Sequence, residues 1–165
     1  MFESLPFALF PALMTFAGAF DFLTLSIPNR VSLAIAFAFF PVAILAGLPL
    51  EAMALHLSCA LVTLAFGFAL FAGGWFGGGD AKLFAAAALW IGWEQILAYG
   101  VAVAIIGGAL AVVYVMLRML PARYTAPPGR WAASIRQLEL PYGVALAGAA
   151  LAISPHVAWM TAAIA

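Results

Sequence analysis

Long apolar runs make up most of this chain, and short polar segments separate them. A membrane-spanning helix needs about 20 mostly apolar residues. Five runs reach that length: Leu5–Leu25, Val31–Leu50, Ala52–Phe76, Gln95–Leu117 and Leu140–Ile164. Because the runs are continuous rather than alternating in polarity, the pattern favours helices over strands.

A sixth run, Leu83–Trp93, is short and reaches membrane length only if its helix begins near Asp80. The positions of the basic residues support counting it. With this run as the fourth span, Arg30 and Lys82 fall on the same side of the membrane as the remaining basic residues, Arg118, Arg123, Arg130 and Arg136. The pattern therefore predicts an all-α, polytopic membrane protein with six transmembrane helices.

The charge distribution also predicts the orientation of the chain. Positively charged loops mark the cytoplasmic side of a membrane protein. The opposite side would carry glutamates and no basic residue: Glu3, Glu51 and Glu94. We therefore expect both termini on the side of the membrane opposite the cytoplasm. The tryptophans that fit interfacial aromatic belts are Trp75, Trp90, Trp93 and Trp159.

The predicted spans leave little room for a separate domain. We expect one membrane-embedded domain over residues 1–165, with a cytoplasmic loop over residues 118–139 inside it. The N-terminal run lacks the basic start that is typical of a signal peptide, and Pro6 and Pro11 interrupt it. We therefore expect it to be retained as the first span.

Composition excludes several classes of protein. Of the 165 residues, 68% are hydrophobic and 7% are charged, whereas soluble domains average about 25% charged residues. The net charge is zero, which argues against a nucleic-acid partner. Cys59 is the only cysteine, so a Cys-rich zinc module is excluded. His56 lies nearby, but two residues make a poor metal site, and we expect neither a metal nor another cofactor.

Two aspartates are the strongest candidates for chemistry. Asp21 lies near the cytoplasmic end of the first predicted span, and Asp80 lies at the cytoplasmic start of the fourth. An ionisable residue within a membrane span is costly and is a functional hypothesis by default. Two carboxylates that approach each other cannot both ionise easily, and such a pair tends to share a proton. Aspartic proteases use this arrangement to activate water and polarise a peptide carbonyl.

Simpler interpretations of the same residues stay open. Asp21 also fits an interfacial residue or a helix-end cap, and Asp80 also fits an N-cap for the fourth span. The glycines Gly77–Gly79 permit unusual backbone angles and close approach, or form a plain hinge. Lys82 either pairs with a carboxylate or marks the membrane boundary. The aspartates would also suit a small proton- or cation-coupled transporter, and a non-catalytic assembly subunit is a third alternative.

Three short motifs occur in order along the chain. Asp21 is followed by Ile27-Pro28-Asn29, the next motif is Gly77-Gly78-Gly79-Asp80-Ala81-Lys82-Leu83, and Pro141-Tyr142-Gly143 precedes the last span. In these motifs, and in their order and topology, the chain resembles the type IV prepilin peptidase family, which are membrane aspartic proteases of the Gly-x-Gly-Asp type. The small form is similar to the branch of Flp/Tad pilus systems, with archaeal preflagellin peptidases as the nearest competing branch.

The resemblance implies a function and a set of site residues. It implies catalytic roles for Asp21 and Asp80, and supporting roles for Pro28, Asn29, Gly77, Gly79 and Lys82. It implies cleavage, at the cytoplasmic face of a bacterial inner membrane with both termini periplasmic, of a prepilin with a short basic leader followed by a hydrophobic helix. Pilin-like proteins are further candidate substrates, and no cofactor is implied. Larger members carry a Cys-rich zinc-binding region and also methylate the mature pilin. With one cysteine, this chain is expected to cleave without methylating.

Overall fold

The computed structural model describes residues 5–119 and 140–161, and every regular element within them is helical. The prediction of an all-α fold is therefore confirmed. Before the gap the helices are α1 (Leu5–Thr24), α2 (Asn29–Leu45), α3 (Leu50–Ala72), α4 (Gly78–Ile91) and α5 (Ile96–Met119). After it come α6 (Tyr142–Ile153), a 3-10 turn (Ser154–His156) and α7 (Ala158–Thr161).

Two helices in the described part of the chain are long and apolar enough to cross a membrane, α3 with 23 residues and α5 with 24. The predicted run Leu140–Ile164 is not one continuous helix. Its helix α6 ends at Ile153, and Pro155 follows in the 3-10 turn. The α-helix does not continue through Pro155, because proline lacks the N–H that the next helical hydrogen bond needs. The predicted loop over residues 118–139 begins inside α5, and the rest of it lies outside the described residues.

The short helix α4 lies at the centre of the bundle. Helices α2, α3 and α6 pack against it, while α1 packs against α2 and α6, and α5 packs chiefly against α6. Most of α4 is buried, including Leu83 and the run from Ala85 to Ile91. Neighbouring helices therefore cover α4, the shortest of the predicted spans.

Small residues set the closest helix contacts. A Cβ atom on Gly67 of α3 would lie 3.1 Å from the Cβ of Ala81 in α4. A Cβ atom on Gly18 of α1 would lie 2.6 Å from the Cβ of Ala147 in α6. Small side chains let two helix backbones approach closely, which is the usual way that membrane helices pack. These contacts position α1, α4 and α6, the helices that carry the candidate site.

Trp90 contradicts the expectation that it belongs to an interfacial belt. Its side chain has no exposed surface and stacks on Phe10 and Trp159. Its Nε1–H donates to the carbonyl oxygen of Ile35 at 2.9 Å. A buried tryptophan usually finds such a partner, so Trp90 joins α1, α2 and α7 to α4. Trp75, by contrast, is 83% exposed, as expected for a surface residue.

Candidate active site

The turn between α1 and α2 fixes the position of Asp21. Asp21 lies in the last turn of α1, where its side chain is only 5% exposed. The helix ends when Leu25 adopts a left-handed backbone (φ 53°), and the Leu25 N–H donates to the Asp21 carbonyl oxygen at 2.7 Å. A residue in this conformation commonly terminates a helix. Pro28, with φ −64°, then forms the N-cap of α2.

The carboxylate of Asp21 reaches across the bundle to the start of α6. Its Oδ2 atom accepts a hydrogen bond from the backbone N–H of Gly143 at 2.7 Å. The first N–H groups of a helix have no partner within the helix, and Pro141, the N-cap residue, makes no side-chain cap. Asp21 therefore caps α6 from another helix, and its negative charge suits the positive end of the helix dipole.

Gly143 is required by the closeness of this contact. A Cβ atom at position 143 would lie 2.8 Å from both the Cβ and the Oδ2 of Asp21. Side-chain atoms do not approach each other that closely, so any other residue would push α1 and α6 apart. The Gly143 N–H can reach the carboxylate only because no side chain stands between them.

Asp80 is the third residue of α4, in the first turn of the helix. The N-cap is Gly77, so the expectation that Asp80 caps this helix is wrong by three positions. The side chain folds back towards the cap, where a Cβ atom on Gly77 would lie 2.5 Å from the Asp80 Oδ2 atom. Gly77 therefore leaves space for the half-buried carboxyl group.

The glycines before Asp80 permit close approach rather than unusual backbone angles. Gly78 and Gly79 are helical and Gly77 is extended (φ −71°, ψ 140°), so none of them adopts a left-handed conformation. A Cβ atom on Gly78 would lie 3.2 Å from the ring of Phe71, and one on Gly79 would lie 3.3 Å from Ile27. The prediction of close approach is confirmed, and the prediction of unusual angles is wrong.

The two other predicted supporting residues contact each other. The Lys82 Nζ atom donates to the Asn29 Oδ1 atom at 2.8 Å, between the second turn of α4 and the start of α2. Together with the contact of Gly79 and Ile27, this bond holds the turn after α1 against α4. Lys82 is thus hydrogen-bonded to a side-chain amide, whereas pairing with a carboxylate was one of the two roles expected for it.

The structure brings the two aspartates to the same end of the bundle. The turn after Asp21 contacts the start of α4 through Ile27 and Gly79, and the two carboxyl groups lie close enough to interact electrostatically. Tyr142, next to Gly143, also interacts electrostatically with Asp80. Its ring packs at right angles to that of Phe76, with 5.6 Å between centroids. The sequence pointed to the Pro-Tyr-Gly motif only through the family resemblance. The contact of its Gly143 with Asp21 spans 122 positions, and such a contact leaves no local signal in the sequence.

Comparison with known proteins agrees with this arrangement. Residues 8–113 match the model of the type IV leader peptidase family, Peptidase_A24. The chain belongs to the type IV leader peptidase family. The matched residues contain Asp21 and Asp80 and end before α6. No curated protein and no solved structure matches the chain. Membership in this family supports a protease that acts on prepilins.

The histidine and cysteine of α3 lie away from this site, near the other end of α4. The His56 Nδ1 atom lies 2.8 Å from the carbonyl oxygen of Leu89, within hydrogen-bonding distance. The ring packs against Phe39 and Trp159, and Cys59 is fully buried. The described residues contain no group of three or more His, Cys, Asp or Glu side chains that would suit a metal ion. His56 therefore has a structural contact between α3 and α4.

Proposed function

We propose that this chain is an aspartic endopeptidase that removes the short leader from type IV prepilins of the Flp type. The observation that carries the proposal is the placing of Asp21 and Asp80, from α1 and α4, at one end of the bundle, where they interact electrostatically. The chain that holds this pair belongs to a leader peptidase family. A transporter using the same aspartates would not account for that family membership.

The chemistry follows from a carboxyl pair that holds one proton. The ionised carboxylate takes a proton from water while the resulting hydroxyl oxygen attacks the carbonyl carbon of the scissile peptide bond. The protonated carboxyl donates to the carbonyl oxygen and stabilises the charge that develops there. Collapse of the tetrahedral intermediate breaks the C–N bond, and the leaving nitrogen receives a proton from the pair.

The supporting residues act in this proposal by holding the pair in place. Gly77 leaves space for the Asp80 carboxyl group, and Gly79 brings the turn after α1 against α4. Pro28 fixes the start of α2, where Asn29 binds Lys82. A displacement of about 1 Å can cost about a hundredfold in rate, so these contacts belong to the function.

Six membrane spans and a cytoplasmic active site form part of the proposal. Helices α1 to α5 would be the first five spans, and α6 with the segment after it would be the sixth, in one domain over residues 1–165. Lys82 lies two residues after Asp80, Arg30 follows Asn29, the hydrogen-bond partner of Lys82, and Arg118 lies in the last turn of α5. The positive-inside rule then gives the acid pair and the loop over residues 118–139 to the cytoplasmic side, and both termini to the periplasmic side.

The substrate of the proposal is a chain with a basic leader followed by a hydrophobic helix. The acid pair would attract the leader, and the bilayer would hold the helix. N-methylation is left out of the proposal, because these 165 residues hold one cysteine and no Cys-rich region. Pilin-like proteins with the same leader chemistry are further candidate substrates.

The proposal is tested by replacing each acid with its amide. Asp21→Asn and Asp80→Asn keep the side-chain shape and remove the carboxyl group that takes up and gives a proton, so each should leave a coexpressed prepilin unprocessed while the protein inserts normally. Glu51→Gln is the matched control, since Glu51 is an exposed acid in the first turn of α3. Processing at the wild-type rate by either Asp variant would remove that residue from the catalytic pair. Ion flux through vesicles containing purified protein, without prepilin cleavage, would replace the proposal with the transporter.

A further inference from the structure

An apolar groove of about 420 Å³ runs along the side of the bundle and begins at Asn29 and Lys82, at the end that carries the acid pair. Helices α2 and α3 form its walls, and α4 forms its floor. The walls include large side chains with no protein covering in the described part of the chain. Among them Phe37 is 68% exposed and Leu61 is 58% exposed. The floor holds two small residues, Ala85 and Ala86, followed by Leu89.

The dimensions of the groove suit a helix. Along α2 it extends from Asn29 to Phe40, which at 1.5 Å per residue is about 16 Å, or three turns. Alanines on the floor allow another helix backbone to approach closely, as small residues do at helix contacts within membranes. A transmembrane helix of a second protein can therefore lie against α4 between α2 and α3.

One end of the groove is polar, and it lies at the end of the bundle that carries the candidate active site. Lys82 and Asn29, joined by their hydrogen bond, line it, and Asn29 begins α2 directly after the turn that follows Asp21 and α1. Ser32 also lines the groove, is 5% exposed, and has a hydroxyl with no hydrogen-bond partner among the described residues. Buried polar groups nearly always have a partner, so this end is suited to a polar group of an occupant.

A second groove of about 430 Å³ lies between α1 and α6, near Asp21. Its lining is apolar apart from Thr15, whose hydroxyl already donates to the carbonyl oxygen of Pro11 at 2.7 Å. This second groove therefore offers no polar group in need of a partner. The two grooves differ in the chemistry of the end that meets the acid pair.

We propose that the groove between α2 and α3 receives the hydrophobic helix of the prepilin, with the N-terminal end of that helix beside Ser32 and Asn29. The first N–H groups of a helix lack partners within it, and the Ser32 hydroxyl is placed to accept one of them. The scissile bond, just before the helix, then reaches the acid pair. The basic leader extends past Asp21 and away from Lys82, because like charges repel. This inference rests on the proposed function.

Site-specific photo-crosslinking tests the occupant and its direction. A photoreactive phenylalanine is placed at Leu61 in the groove, or at Phe66 on the same helix outside it, in the Asp80→Asn background that keeps the prepilin intact. The two positions are 58% and 61% exposed, so exposure does not separate them. We expect at least fivefold more crosslinking from position 61, mapped by mass spectrometry to the hydrophobic helix. Equal yields, crosslinks to the leader, or adducts with phospholipid alone would overturn the inference.

A probe at Leu151 tests the second groove, which this residue lines at 44% exposure. Stronger crosslinking of the prepilin helix from position 151 than from position 61 would assign the substrate to the groove between α1 and α6 and overturn the inference. Weaker crosslinking from position 151 supports the groove between α2 and α3.

Kinetics separate a failure of this inference from a failure of the proposed function. Leu61→Trp narrows the groove and should lower kcat/KM at least fivefold for full-length prepilin, while cleavage of a short peptide that spans the leader junction stays unchanged. Phe66→Trp is the control and should cleave both substrates normally. If wild-type protein cleaves the prepilin and Leu61→Trp does so equally well, the groove assignment fails and the peptidase stands. If wild-type protein cleaves neither substrate, the proposed function itself fails.

Discussion

The contact of Gly143 with Asp21 supports a sharp prediction for Gly143→Ala. The added Cβ atom would lie 2.8 Å from the Asp21 Cβ, whereas ordinary van der Waals contact begins at 3.4 Å. The Asp21 Cβ is attached directly to the backbone of α1 and cannot turn away. The two helices must therefore separate, and this movement breaks the 2.7 Å hydrogen bond from the Gly143 N–H to the Asp21 carboxylate.

The expected size of the effect follows from that bond. A hydrogen bond to a charged group contributes about 1.5–3 kcal/mol, and about 1.4 kcal/mol corresponds to a factor of ten in rate. Gly143→Ala should therefore lower kcat/KM for prepilin cleavage by about 10- to 150-fold. The assay is cleavage of purified prepilin in detergent or vesicles, with the rate divided by the amount of folded enzyme.

Gly148→Ala is the matched control on the same helix. Its added Cβ would meet the Ile106 Cδ1 atom at 3.5 Å, an ordinary contact. Alanine also favours a helix over glycine by about 0.5–1 kcal/mol, so this variant should be as active as wild type and slightly more stable. If folded Gly143→Ala cleaves prepilin as fast as Gly148→Ala does, the hydrogen bond from α6 has no part in positioning Asp21.

Three further predictions concern packing. Gly79→Ala should slow cleavage several-fold, because its Cβ would press on the turn after α1 at 3.3 Å. A Cβ atom on Gly108 would have no neighbour within 4 Å, so Gly108→Ala should cleave at the wild-type rate. Equal cleavage rates for the two variants would contradict this prediction. Trp90→Ala should lower the free energy of unfolding by about 3–5 kcal/mol, measured by denaturation in mixed micelles, and Trp75→Ala, at an 83% exposed position, should change it little. Cys59, fully buried, should react with a maleimide only after denaturation, and rapid labelling of folded protein would show that this packing is wrong.

Hydrophobic run length predicted most of the helices and their order. Helices α1 to α5 lie where the apolar runs lie, because continuous apolar sequence is compatible only with helices when water is absent. The sequence was less informative at the helix ends. Run length alone cannot locate Gly77 as the N-cap of α4 or the break at Pro155, since both depend on local backbone geometry within otherwise apolar sequence.

Burial was harder to predict than helix position. In a soluble protein a polar face distinguishes the outside of a helix from the inside, but helices in lipid are apolar on both sides. Trp90 therefore could not be told from a lipid-facing tryptophan by sequence, although it lies in the core. The small residues of α4 and their partner Gly67 were the available signal, because small residues concentrate where helices approach closely.

The site shows the same limit at a longer range. Predicted topology was sufficient to bring Asp21 and Asp80 to one end of the bundle, since each lies at a predicted span end on the basic side. It could not supply the partner of Asp21, because the Gly143 N–H lies 122 positions away in a helix that the family match does not reach. A capping contact between helices has no spacing rule in sequence, and only packing reveals it.

The contribution of α6 bears on how the acid pair can work. A carboxylate buried in a bundle of apolar helices is costly unless it is hydrogen-bonded. The start of α6 supplies both a donor and the positive end of a helix dipole to Asp21. No donor of this kind reaches Asp80 in the contacts described above; its neighbours are Gly77, Asp21 and Tyr142. The two acids therefore lie in unequal surroundings, as expected for a pair in which one member activates water and the other polarises the carbonyl.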